Sequence, residues 1–149
     1  MTGKKRVLFI CTHNSARSQI AEGYLRTRYG ERFDAFSGGT EVTKVHPVAI
    51  AVMNEIGIDI SSHRSKMIDE FYHAPIDIVV TVCDSAKGFC PFFPGKHEDI
   101  HFSFPDPSGL TGTDEEVLAG FRMIRDEIIS WIDRTFGEED NSNRIGNEE

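Results

Sequence analysis

Cys11 and Arg17 are separated by five residues in the run RVLFICTHNSARSQIAEGYL, residues 6–25. A cysteine closing an apolar run, and an arginine where a helix begins, are the parts of an oxyanion site. The loop between them, Thr12, His13, Asn14, Ser15 and Ala16, can aim several backbone N–H groups inward, and the helix adds the positive end of its dipole. Such a cradle binds a tetrahedral oxyanion without lysines. Arg17 contributes a planar fork of donors that matches two oxygens. Cys11 at the base is then a thiolate nucleophile aimed at the central atom of the anion. Ser18, one residue beyond the arginine, can hydrogen-bond the sulfur. The competing reading is a strand-end cysteine that serves only as a small hydrophobe.

Further chemistry is available downstream. Cys83 and Cys90 lie in VTVCDSAKGFCP, and Asp106 lies in FPDPSG, residues 104–109. Three cysteines do not make a structural disulfide set. Cys83, Cys90, His97 and His101 form C-x6-C-x6-H-x3-H, whereas structural zinc sites place two to four residues between their cysteines. No zinc site is expected. His63 and His73 stand in polar surroundings with no assigned chemistry, and Asp84 reads as a turn residue. His13 would act through its backbone N–H.

These residues need elements to bring them together. Residues 6–11 and 76–83 are apolar, β-branched runs and predict buried strands. Weaker strands are expected over 33–39 and 100–104. Helical spacing and a closing glycine predict a helix over 17–29. Pro47 and Gly57 bracket another over 46–57, and a short one is expected over 66–73. TDEE, residues 113–116, is a capping box opening a long helix. Val117, Phe121, Ile124, Ile128 and Trp131/Ile132 recur on one face of it until Gly137. Strands alternating with helices imply an α/β fold around a mostly parallel sheet. Ligands in such folds bind beyond the carboxyl ends of the strands. Cys11, Cys83 and FPDPSG each follow an expected strand, so parallel strands would bring them to one edge.

The formal charge of −8 argues against nucleic acid as a natural partner. Residues 138–149, EEDNSNRIGNEE, carry five acids and one arginine, a net −4. They are expected to be a disordered tail after a single domain spanning 1–137. No apolar run is long enough to cross a membrane. MTGKKRVLFIC reads as a strand and not a signal peptide, because polar THNS follows at once. A cytoplasmic protein is expected.

CTHNSARS fits C-x5-R-S and resembles the nucleophile loop of the low-molecular-weight protein tyrosine phosphatase fold. FPDPSG resembles that fold's Asp-Pro loop, which supplies a general acid. The resemblance implies a three-layer fold, a four-stranded parallel sheet flanked by helices. Two branches share these parts. In a phosphatase, Cys11 would attack phosphorus and Asp106 would protonate the leaving phenolate. VTVCDSAKGFCP instead resembles the second redox segment of thioredoxin-coupled arsenate reductases. That branch implies a three-cysteine relay: Cys11 attacks arsenic, Asp106 assists loss of water, Cys83 attacks Cys11, and Cys90 then attacks Cys83. Thioredoxin would be the external reductant, with no bound cofactor and a monomeric enzyme.

Three departures bear on the reading. Phosphatases of this fold carry aromatic residues after the Asp-Pro pair, where this chain has Ser108 and Gly109. Ala16 occupies a place where many relatives have cysteine, so no disulfide can form within the loop. Potassium-binding reductases hold the ion with asparagine, glutamate, serine and an acidic side chain. Asn14, Glu22 and Ser37 match the first three, but Lys66 takes the fourth place. No metal is therefore expected, with the Lys66 ammonium pairing with Glu22 in its stead. The alternative for Lys66 is a solvated surface lysine. A non-catalytic redox or oxyanion sensor built from the same thiols remains the third functional reading.

Overall fold

A computed structural model of the chain describes residues 4–41, 43–82, 93, 95, 97–105 and 107–137. Four strands, β1 Lys5–Cys11, β2 Phe33–Gly39, β3 Ile78–Thr81 and β4 Glu98–His101, form one sheet in the order β2-β1-β3-β4. Every pairing is parallel. β1 is central and, from Val7 on, buried on both faces, which is the position that the continuous apolar run VLFIC suits. Val7, Phe9 and Cys11 turn toward one face, and Leu8 and Ile10 toward the other.

Helices α1 Arg17–Tyr29, α2 Pro47–Asn54 and α3 Asp114–Thr135 all cover the Phe9 face. On the opposite face Ile68 and Phe71 of the 3-10 turn Ile68–Phe71 pack with Leu8, Ile10, Val79 and Phe93. Fully buried side chains such as Phe9, Leu8 and Ile10 each contribute about 1.5–3 kcal/mol. The capping box of α3 forms as expected: the Thr113 hydroxyl accepts from Glu116 N at 3.1 Å, and the Glu116 carboxylate accepts from Thr113 N at 2.8 Å.

Several boundaries differ from expectation. The last strand spans 98–101 and not 100–104, because β3 ends at Thr81 and offers no further ladder partners beyond Phe102 N to Thr81 O at 3.0 Å. α2 closes at Asn54, three residues before Gly57, whose φ of 82° is left-handed. The expected helix over 66–73 is the short 3-10 turn.

The topology decides where a ligand goes. The chain passes from β1 to β2 on one side and then to β3 on the other, so the strand order reverses at β1. The crevice beyond the carboxyl end of β1 is the switch point of the sheet. Cys11 is the residue there.

Candidate active site

The loop after β1 turns its carbonyls outward. Thr12 O accepts from Thr40 N and Glu41 N at 2.9 and 2.8 Å, and Ser15 O accepts from His46 N at 2.9 Å. His13 O accepts from the Ser65 hydroxyl at 2.8 Å, Asn14 O from Gln19 Nε2 at 3.1 Å, and Ala16 O from Ile20 N at 2.8 Å. The described peptides are all trans, and a trans peptide points its N–H opposite its carbonyl. The intervening amides therefore face the concave side, which Cys11 closes from below. Asn14, at φ 50°, makes the reversal that closes the cup.

Gly39 permits this closeness. A Cβ there would lie 2.6 Å from Thr12 O and 2.9 Å from both Asn14 N and Cys11 O. The end of β2 presses directly on the loop.

The polarity of the network beneath the cup is fixed from one end. Backbone Lys66 N can only donate, and it donates to Asn14 Oδ1 at 2.7 Å. Asn14 Nδ2 must then face Ser18 Oγ, 2.8 Å away. Ser18 Oγ lies 2.9 Å from Cys11 Sγ, and once the sulfur is a thiolate only the hydroxyl can donate across that contact. A buried, fully oriented donor thus stabilises negative charge on the sulfur. Gln19 Nε2 reinforces Asn14 Oδ1 at 3.0 Å. The sequence reading missed Gln19, Gly39, Ser65 and His63. His63, read there as having no chemistry, donates from Nδ1 to Gln19 Oε1 at 2.9 Å while Arg26 donates to its Nε2 at 3.1 Å. Burial lowers its pKa from the usual imidazole value, with the neighbouring Glu22 opposing. The one available signal was the polar, helix-starting RSQ at 17–19, buried in its entirety.

Arg17 is buried, and its Nη1 donates to Val82 O and Phe104 O at 3.3 and 3.2 Å. One guanidinium therefore ties the start of α1 to the segments that follow β3 and β4. Cys83 follows Val82 in the chain, and Asp106 comes two residues after Phe104. Cys83, Cys90 and Asp106 themselves lie outside the described residues. Of the remaining residues in the zinc-like pattern, His97 pairs with Asp99 at 2.8 Å and His101 with the Thr81 hydroxyl at 2.9 Å. His13 approaches Glu41 at 3.3 Å on the rim of the loop.

One turn further along α1, the Glu22 carboxylate is buried and accepts from the Ser37 hydroxyl and Arg26 Nη2. Lys66 Nζ stands 3.7 Å from it, with the lysine side chain only 12% exposed. Burial lowers the Lys66 pKa, and Glu22 opposes that shift. Lys66 is thus not a solvated surface lysine. Asn14 Oδ1 already accepts two hydrogen bonds, and Glu22 already faces two cations. Those hydrogen bonds and ion pairs use the oxygens that a potassium ion would need, so these residues do not fit one.

A family model described as low molecular weight phosphotyrosine protein phosphatase matches residues 6–134. An arsenate reductase of Halalkalibacterium halodurans is 46% identical over 135 residues, 91% of this chain and 96% of the relative. Among solved structures, an arsenate reductase in the phosphate-binding state superposes with a TM-score of 0.73 at 33% identity, covering 90% of this chain and 98% of its own. The Corynebacterium glutamicum thioredoxin-dependent arsenate reductase gives a TM-score of 0.62 at 29% identity, covering 89% of this chain and 62% of its own.

Proposed function

This chain belongs to the low molecular weight phosphotyrosine protein phosphatase family, and from that premise we propose that it is an arsenate reductase recycled by thioredoxin. The observation that carries the mechanism is the oriented path Lys66 N, Asn14, Ser18, Cys11, which ends in a proton donor aimed at the sulfur. The cup of amides and Arg17 hold the oxyanion. The Cys11 thiolate attacks arsenic, an As–S bond forms, and Asp106 protonates the oxygen that departs as water. The Cys83 thiolate then attacks the Cys11 sulfur. An S–S bond forms, the As–S bond breaks, and its electron pair stays on arsenic, reducing it from As(V) to As(III). Cys90 displaces Cys11 from Cys83, and the dithiol of thioredoxin reduces the Cys83–Cys90 disulfide.

The enzyme acts as a cytoplasmic monomer without a bound cofactor. The Lys66 ammonium takes the place of a potassium ion against Glu22. The identity of arsenate reductases among the relatives, together with Cys83 and Cys90 in the sequence, favours this reading over a tyrosine phosphatase. A non-catalytic sensor is the other class to exclude.

The test is arsenate-dependent consumption of thioredoxin reducing equivalents over many cycles. A sensor would be oxidised once and stop. In the Cys83→Ser variant, multiple turnover of arsenate should vanish while p-nitrophenyl phosphate hydrolysis survives. Arsenate reduction undiminished in that variant would refute the relay.

A further inference from the structure

The segment between α2 and the 3-10 turn clamps the anion loop from outside. The Ser65 hydroxyl donates to His13 O at 2.8 Å, and Lys66 N donates to Asn14 Oδ1 at 2.7 Å. A further contact runs through a side chain, from His63 Nδ1 to Gln19 Oε1 at 2.9 Å. His63 is half-buried, and its backbone N–H donates to Ile60 O at 3.0 Å. Gln19 is fully buried.

Hydrogen-bond capacity leaves this imidazole one state. Gln19 Nε2 faces three acceptors, Asn14 O, Asn14 Oδ1 and Arg64 O, at 3.1, 3.0 and 2.9 Å. The amide nitrogen must point that way, so its oxygen turns to the ring and His63 Nδ1 must carry a proton. On the other side Arg26 Nη1 lies 3.1 Å from Nε2 and can only donate, so Nε2 must be bare. Arg26 is itself pinned, with Nη2 donating to Ala35 O at 2.8 Å and to the Glu22 carboxylate. Both neighbours therefore select the neutral ring protonated on Nδ1.

We propose that His63, held in this tautomer, is a positioning residue that passes the fixed orientation of Arg26 through Gln19 to Asn14, and so to the Ser18 hydroxyl beside Cys11. A flipped Gln19 would set its oxygen against three acceptors and release its grip on Asn14. A second proton, on Nε2, would place an imidazolium against the Arg26 guanidinium and drive the ring off Gln19. Burial, the largest cause, holds the His63 pKa below its usual value, with Arg26 and Lys66 assisting and Glu22 and Asp59 opposing. The inference rests on Cys11 being the nucleophile but not on arsenic chemistry or on the other cysteines.

The experiment joins imidazole nitrogen NMR of the full-length chain to its hydrolysis of p-nitrophenyl phosphate, which calls on Cys11 and the anion loop alone. At neutral pH the His63 signals should show Nδ1 protonated and Nε2 bare. An Nε2–H ring, or an average of two tautomers, would overturn the proposal. His63→Leu removes the donor and should lower kcat about 2- to 10-fold, the value of one neutral hydrogen bond. His63→Asn puts an amide N–H near the Nδ1 position without a titrating group and should restore most of that loss. On acidification, wild-type turnover relative to His63→Asn should fall along the same curve as Nε2 takes up its proton. A ratio that stays constant while Nε2 protonates, or His63→Leu turnover equal to wild type, would leave His63 no positioning role. A wild type inert toward the ester would instead sink the catalytic reading, and the positioning role with it.

Discussion

The first turn of α1 gives Ser18 and Gln19 to a neutral network, while the next two turns give Glu22 and Arg26 to a charged one. The neutral network is directional. A backbone N–H at Lys66 sets donor and acceptor as far as Ser18, and the thiolate form of Cys11 sets the last bond. The charged cluster is held by non-directional attraction: Glu22 meets an ammonium at 3.7 Å, a guanidinium and a hydroxyl, and no step in it fixes the orientation of the next. A directional chain tolerates no substitution that changes a proton count. A charge cluster tolerates exchange of one cation for another, which is the premise of the proposed role of Lys66.

Substitutions can break this contrast, beginning with the terminus of the directional path. Cys11→Ser should abolish both arsenate reduction and phosphate-ester hydrolysis, measured as steady-state turnover, since neither can start without the thiolate. Asn14→Asp is the sharper probe. It keeps acceptors for Lys66 N and Gln19 but offers Ser18 no N–H, so the serine proton turns from the sulfur toward the new carboxylate. Turnover should fall about 10- to 100-fold, the value of one hydrogen bond to a charged group. Asn14→Asp turnover equal to wild type would show that the path is not directional.

Gly39→Ala should cost about 1–3 kcal/mol in chemical denaturation, because its Cβ overlaps Thr12 O and forces the loop outward. Lys66→Ala tests the charged cluster. Wild-type turnover should be the same in KCl and NaCl at equal ionic strength, whereas the variant should lose activity severalfold and recover it in KCl alone. The replacement idea is dead if wild type depends severalfold on potassium and Lys66→Ala behaves like it.

The smallest effect lies at the far end of α1, where Tyr24 and Tyr29 both donate to Asp133 at 2.8 and 2.6 Å. Burial, then the bond to Asp133, pushes the Tyr24 phenol up to about 12 from 10.0. Its proton is held more tightly folded than unfolded. The contribution is complete below pH 10 and lost as pH climbs through about 12. Tyr24→Phe should flatten the fall in denaturation midpoint across that window.

Much of this was legible in the chain. Periodicity located β1, α1 and α3 within a residue or two, because each is long and strongly patterned. The short elements shifted, β4 most of all, because the end of β3, a partner distant in sequence, set its length. Cys11, Arg17 and Ser18 were readable because they lie within eight residues on one strand–loop–helix unit. Local order alone fixes their proximity.

What holds those groups comes from elsewhere. Gly39, Ser65, His63 and the backbone of Lys66 reach the loop from β2 and from the segment before β3, at separations of 25 to 52 residues from their partners. No spacing rule announces such contacts. The sequence determined which atoms could react, since nucleophile and anion cradle are covalent neighbours. Tertiary structure decided which way each proton points, because that direction is set by a donor that only the folded chain brings within hydrogen-bonding distance.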